Sequence, residues 1–412
     1  MHLAIEAVGV KHSGGAVVLT DVLRATARCP FVHRITVFCS PVVTRKFDFP
    51  SSPKIWPIEC AGAESTVSSR IWWLTQGLAR QTDTLRPDAL LCMNGIGISE
   101  VPTAAFVQQS LPFCSEALGV CTLATRIRIR VIAGLMKHSC RRAELVIAQT
   151  PTMSEWIQRA FGVPSSRISV VKPWGDDLGM NSEQSGDLEL MHRTPSNLRL
   201  LYVGNTSSYK NLECLTHAML QVRRHLPGAT LFLTCPPDHY HCETDGVIGV
   251  GYLGGQRLRD AYCLTTAFIT ASLVESGNLT LVEALSAGTP ILAADRPYAR
   301  DLCGDSAAYF DPGDPESASS VIVGVLTNAS KREQMGRRGL EVAVSERKGR
   351  PYDCLVDQLV SLARSSSARP RWRHLSKLEI DKFDTVKDAE KDYSEDTRVI
   401  THPTEGASRP KV

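Results

Sequence analysis

The sequence predicts an α/β protein made of two parallel-sheet domains of similar size, and three observations carry that expectation. Short apolar runs alternate with amphipathic stretches from the N-terminus to about residue 345, and strands separated by helices build βαβ units and hence parallel sheets. At 412 residues the chain exceeds what one hydrophobic core ordinarily serves. A polar stretch without apolar period, GMNSEQSGDLELMHRTPSN from Gly179 to Asn197, divides the alternation into two series.

In the first series LAIEAV reads as a buried strand, followed by the glycine loop GVKHSGG and the helical pattern AVVLTDVLRATAR. RITVFCS, DALLCMN, TAAFVQQ and AELVIAQT are further strands, and SEWIQRAFG is a helix closed by Gly162. The second series starts at LRLLYVG, residues 198 to 204, and runs through TLFLTC, TAFITAS and PILAAD. The expected organisation is a first domain over 1–178, a linker over 179–197 and a second domain over 198–364. Residues 365–412 are polar, of mixed charge and almost free of apolar periodicity, the composition of a disordered tail. No repeat of 20 to 50 residues runs through the chain, which argues against a solenoid.

Composition narrows the function classes. With 43% hydrophobic and 22% charged residues the chain is an ordinary globular one, and a net charge of +3 offers no field for nucleic acid. Its 13 cysteines follow no paired spacing and suit a reducing compartment. MHLAIEAVGV has neither the basic start nor the long apolar core of a signal peptide, and no apolar run reaches the ~18–20 residues of a membrane span. The expectation is therefore a cytoplasmic protein whose membrane contact is at most peripheral. TRIRIRVIAGLMKHSCRR places Arg130, Lys137 and Arg141 broadly on one side of a helix. A packing helix is the simpler account, and docking on an anionic membrane the sharper one. Cys235, His239, His241 and Cys242 in TCPPDHYHCE fit no common zinc spacing, so no metal is expected. NGIGIS and SGG lack the full dinucleotide fingerprint, which removes the central sign of a nicotinamide-dependent oxidoreductase.

The chemistry concentrates in ESGNLTLVEALSAGTP, residues 275 to 290. A strand ends near Ser272, and the following helix runs through VEALSA to Gly288. Thr280 and Glu283 fit a capping box, a hydroxyl followed three positions later by a carboxylate. In a parallel sheet this helix starts at the carboxyl edge of the strands, where ligands bind, and its free amides suit an anion. On the residues alone, Glu283 is a cap and Glu275 a solvated loop carboxylate.

ESGNLTLVEALSAGTPILAAD resembles the Glu–x7–Glu segment of the retaining glycosyltransferases of family 4 (glycosyl transferases group 1), whose fold is GT-B: two Rossmann-like domains facing across a cleft. PYARDLCGDSAAYFDPGDP is similar to that family's next segment, YVGNTSSYKNLE to the motif opening its second domain, and SGG at residues 13 to 15 to its N-terminal glycine loop. FGVPSSRISVVKPWGDD resembles the stretch that ends its first domain, and the likeness covers most of residues 1 to 365.

The resemblance implies transfer of a sugar from a GDP- or UDP-sugar to a saccharide or lipid-linked acceptor, with retention, in surface polysaccharide or lipopolysaccharide assembly. No cofactor and no metal are implied. Lys210, with Thr206, Ser207 and Ser208 beside it, would neutralise the leaving diphosphate. Glu275 would orient the donor sugar, and Glu283 would hold the ribose. Backbone amides of Asn278, Leu279 and Thr280 would face phosphate or sugar, Tyr252 and Leu253 the base, and Gly14 and Gly15 would admit the diphosphate.

Three positions depart from the family pattern. Asn205 stands where an arginine is frequent. Gly277–Asn278 replaces a frequent Phe-Gly, with asparagine expected to tolerate a left-handed turn. Gln108 or Gln109 occupies the place of a histidine; Gln109 is carried as a catalytic candidate that donates a hydrogen bond but no proton. Beside transfer stand two competitors: a nucleotide-sugar epimerase or hydrolase on the same fold, and a catalytically weakened nucleotide-sugar-binding protein.

Overall fold

The structure is a computed structural model that describes residues 1–10, 14–63, 66–175, 188–236, 241–242 and 246–367. Ser13 of the glycine loop, linker residues 179–187, His239 and the tail beyond residue 367 lie outside the described residues.

The first sheet holds β1 (His2–Glu6), β2 (Arg34–Cys39), β3 (Ile55–Glu59), β4 (Ala89–Cys92), β5 (Thr103–Val107), β6 (Leu145–Ala148) and β7 (Ile168–Val170). Their spatial order is β3-β2-β1-β4-β5-β6-β7, with every pairing parallel. The second holds β8 (Arg199–Tyr202), β9 (Thr230–Leu233), β10 (His241–Cys242), β11 (Val247–Gly249), β12 (Ala267–Thr270), β13 (Ile291–Ala294) and β14 (Ala307–Phe310), ordered β10-β11-β9-β8-β12-β13-β14. Only the two-residue edge strand β10 runs antiparallel.

Central strands such as TAAFV and AFIT are buried throughout, as near-continuous apolar runs must be when helices cover both faces of a sheet. The half-exposed β3, IWPIE, was not expected from the sequence. Its short apolar run is broken by Pro57, which is tolerated because an edge strand leaves one side of its backbone unpaired.

The expected second-domain range of 198–364 needs correction. The helix Pro351–Ser367 returns to the first domain, where Tyr352, Leu355, Val356, Leu359, Val360 and Ala363 share one core with Val18, Leu19 and Val22 of the helix Gly14–Arg28. Its apolar face is complementary to the first sheet's helical layer, and sequence order alone does not say which sheet such a face will find.

The strand order reverses once in each sheet, between β1 and β4 in the first and between β8 and β12 in the second. Loops leaving the carboxyl ends of those neighbours diverge to opposite faces and open a crevice. The two domains meet beside these crevices. Leu273 and Val274, after β12, pack with Leu111, Ala117, Cys121 and Ile129 of the first domain. Arg296 pairs with Glu116 at 2.5 Å, and the Thr152 amide donates to Asp301 Oδ2 at 2.8 Å.

Candidate active site

The β8/β12 crevice gathers the charged residues. The loop after β8 ends in the turn Ser208–Lys210, and the loop after β12 carries Glu275. They are tied together by the Leu273 amide, which donates to the Tyr209 carbonyl at 2.9 Å. Tyr298, 1% exposed, fixes the same loop by donating to the Ser272 carbonyl at 2.9 Å. Lys210 Nζ then reaches Glu275 Oε1 at 2.5 Å, with side-chain exposures of 17% and 14%. Burial disfavours the ammonium, but the Glu275 carboxylate, with Tyr209 and Tyr202, outweighs it and holds the Lys210 pKa above the ordinary lysine value.

Helix Leu279–Ala287 begins directly after this loop and ends at Gly288, whose φ of 68° is left-handed. Its cap differs from expectation. Asn278 is the N-cap and accepts from the Leu281 amide at 3.3 Å, while the Thr280 hydroxyl donates to Asn278 Oδ1 at 2.6 Å. The capping box expected of Thr280 and Glu283 is therefore not formed, because an asparagine two positions earlier already satisfies the helix end. Asn278 has φ 4°, so the turn survives without the left-handed residue expected there.

Glu283 is 7% exposed and accepts from the Tyr262 hydroxyl at 2.9 Å. Burial pushes its pKa up from the usual carboxylate value to about 7, against the lowering pull of that hydrogen bond. A buried carboxyl poised near neutrality is more than a surface cap. Tyr262 carried no motif, and sequence reasoning missed it.

The remaining candidates separate by environment. Gly14 opens the helix Gly14–Arg28 with the Leu279 side chain 3.1 Å from where its Cβ would be, so it lies across the domain boundary from the second helix N-terminus. Gly15 instead faces Val10 of its own domain at 3.6 Å, ordinary packing distance. Asn205 Oδ1 accepts from the Ser207 amide at 3.1 Å, holding its own turn. Tyr252 is 49% exposed, whereas the Leu253 side chain lies in the second domain's core.

Of the two glutamines, Gln108 is the one engaged with the charged loop. Its carbonyl accepts from the Ser276 hydroxyl at 2.9 Å, and its Nε2 donates to the Met93 carbonyl at 2.7 Å. Gln109 Oε1 accepts from the Leu111 amide at 3.3 Å. A second cross-domain contact was also missed. Gly277 abuts the buried Gln149, and a Cβ there would come within 2.8 Å of that side chain. The pairing spans 128 residues of sequence, and the only signal was the missing side chain at 277. Among the described residues no cluster of three His, Cys, Asp or Glu side chains is arranged to hold a metal.

Residues 197–328 match the family model described as glycosyl transferases group 1. That span covers β8 to the helix after β14, including Lys210, Glu275 and Glu283. Among curated relatives, O-antigen chain mannosyltransferase B of Escherichia coli is 24% identical over 237 residues, 52% of this chain and 60% of the relative. O-antigen chain mannosyltransferase RfbU of Salmonella typhimurium is 22% identical over 46% of this chain and 52% of the relative. The alignments thus span little more than half of each relative. Sucrose-phosphate synthase from Thermosynechococcus elongatus superposes with a TM-score of 0.67 at 15% identity over 89% of this chain and 99% of its own. WaaG, a glycosyltransferase involved in lipopolysaccharide biosynthesis, gives 0.66 at 13% over 87% and 99%. HepE of Anabaena, solved with UDP-glucose, gives 0.61 at 15% over 88% and 99%. The fold is GT-B.

Proposed function

We propose that this chain transfers a hexose from a GDP- or UDP-sugar to a saccharide or lipid-linked acceptor, with retention, in surface polysaccharide or lipopolysaccharide assembly. The observation that carries the reading is the Lys210–Glu275 pair at the β8/β12 crevice, beside the N-terminus of helix Leu279–Ala287. Breaking a glycosyl–phosphate bond places negative charge on the leaving diphosphate and positive charge at the anomeric carbon. An ammonium has three donors, so Lys210 keeps one on Glu275 and offers the others to a phosphate oxygen. Glu275, fixed by that bond, orients sugar hydroxyls and faces the developing positive charge. The Leu279 and Thr280 amides, ahead of the first intrahelical bonds, add donors for the diphosphate. Glu283 accepts the ribose hydroxyls.

The O-antigen names of the relatives and the UDP-glucose of HepE support the polysaccharide setting and the nucleotide-sugar donor. Helix Leu123–Arg142 leaves Leu123 and Ile127 70% and 50% exposed on the side of Arg130, which supports a peripheral contact at the inner face of a membrane. No described helix is long and apolar enough to cross one.

Titration of UDP, GDP and ADP by calorimetry, with Glu283→Ala alongside, tests the donor site. Saturable binding of one nucleotide that the variant loses supports it. A folded protein that binds none of the three removes the reading.

A further inference from the structure

The first sheet has its own crevice, at the β1/β4 reversal, and it too holds a cation. Thr66 and Ser69 cap the helix Val67–Trp72 reciprocally, and Arg70 of that helix reaches back over the loop after β1. Its Nη2 lies 1.9 Å, and Asn94 Nδ2 2.6 Å, from the point where a Cβ on Gly9 would stand. Gly9 follows β1 and Asn94 follows β4, so the two nitrogens crowd the rim of the crevice from both sides. Any residue but glycine at position 9 would displace the guanidinium.

Arg70 and Asn94 are half-buried, and among the described residues neither side chain has a hydrogen-bond or ion-pair partner. Glu6, the carboxylate on the preceding strand, is fully buried and accepts the Val8 amide at 3.0 Å. A half-desolvated guanidinium beside an amide donor, both left without an acceptor, is a site built for an oxyanion.

We propose that Arg70, with Asn94, binds a phosphate or carboxylate carried by the acceptor, so that the acceptor is an anionic saccharide or glycosyl phosphate rather than a neutral sugar. This rests on the transfer reading above, which leaves the first-domain crevice to the acceptor. The nucleotide's own charges are matched across the boundary by Lys210 and the helix at Leu279.

The test uses the full chain, the donor identified by nucleotide titration, and three matched acceptors: an octyl hexoside, its 6-phosphate and the corresponding uronide. Wild type should favour one anionic acceptor by ten-fold or more in kcat/KM, and the favoured arm identifies phosphate or carboxylate. Arg70→Gln should erase the preference, Arg70→Lys should keep part of it, and nucleotide affinity should stay within two-fold. No preference in wild type, or a preference that survives Arg70→Gln, overturns the proposal. So does a loss of nucleotide affinity like that of Glu283→Ala, which would assign the arginine to the donor.

If no acceptor reacts, inorganic pyrophosphate titrated into the nucleotide-saturated protein decides. Binding weakened at least ten-fold by Arg70→Gln, in a variant with wild-type circular dichroism, supports the site; equal or absent binding overturns it. Failure of the transfer reading is separately visible as wild type that binds no nucleotide, and pyrophosphate then reads the anion site alone.

Discussion

Lys210 and Glu275 stand 65 positions apart in sequence and meet as a 2.5 Å ion pair that solvent scarcely reaches. The strand-order reversal makes this meeting necessary. β8 and β12 are neighbours in the sheet although β9 to β11 intervene in the chain, so the loops that follow them rise side by side. The Leu273–Tyr209 backbone bond then sets their relative height. Each charge is held in place by the other.

Removing one member of such a pair strands the other in a poorly solvated place. Lys210→Met should lower stability by about 1–3 kcal/mol, less than a fully buried pair would lose. Lys210→Met/Glu275→Met together should cost less than the sum of the single changes, read by urea unfolding. Under the transfer reading Lys210→Met also slows donor turnover by about 100-fold or more. Additive stability losses would show that the contact carries no coupling.

The Glu283 carboxyl makes stability depend on pH in an unusual direction. Its folded pKa of about 7 lies above the ordinary 4.5, so the folded state binds the extra proton between those values. Its contribution is then fully present below about pH 4.5 and is lost as pH rises through 7, by an amount on the order of 3 kcal/mol. Thermal unfolding followed from pH 5 to 8 should show this decline, and Glu283→Gln should flatten it. Tyr262→Phe removes the hydrogen bond that favours the ionised form, so the decline should move to higher pH. A wild-type profile as flat as that of Glu283→Gln would contradict the buried-carboxyl account.

Much of this architecture could be read from the sequence, for reasons that differ by element. Strands β4, β5 and β12 announce themselves because burial on both faces demands continuous apolar runs. Gly288 announces a helix end because few residues other than glycine accept its backbone angles at low cost. Lys210 and Glu275 were nominated by motif, but nothing in either segment says that they touch. Contacts made across the domains stayed hidden: Ser276 with the Gln108 carbonyl, and Gly277 with Gln149. Each depends on how two folded surfaces fit, which no local periodicity encodes. Asn278 displaced the expected cap for a smaller reason, since its side chain already accepts from the Leu281 amide and takes the Thr280 hydroxyl as a second donor.

The fit at Gly277 can be tested directly. An alanine methyl would approach Gln149 Cβ and Cδ to 2.8 Å, and Gln149 is only 4% exposed, so it has little room to yield. Gly277→Ala should cost about 1–3 kcal/mol, seen as a lower unfolding midpoint. Gln149→Gly/Gly277→Ala, which removes the Gln149 Cβ as well as its Cδ, should recover part of that loss by vacating the space. If the double variant is no better than Gly277→Ala, the clash lies elsewhere.

The returning helix Pro351–Ser367 makes the first domain's stability depend on residues that follow the second domain in sequence. Leu359 is 2% exposed within the core that includes Val18 and Val22. Leu359→Ala should therefore cost about 2–5 kcal/mol, as a truncated core leucine does. Amide exchange distinguishes which domain is loosened. Faster exchange should appear in β1, β2 and the helix Gly14–Arg28, because these share the core with Leu359. Ile322 lies in the second domain's core, so Ile322→Ala should speed exchange in β8 and β9 instead. If Leu359→Ala loosened β8 and β9 first, the helix would belong with the second sheet, as its place in the sequence suggests.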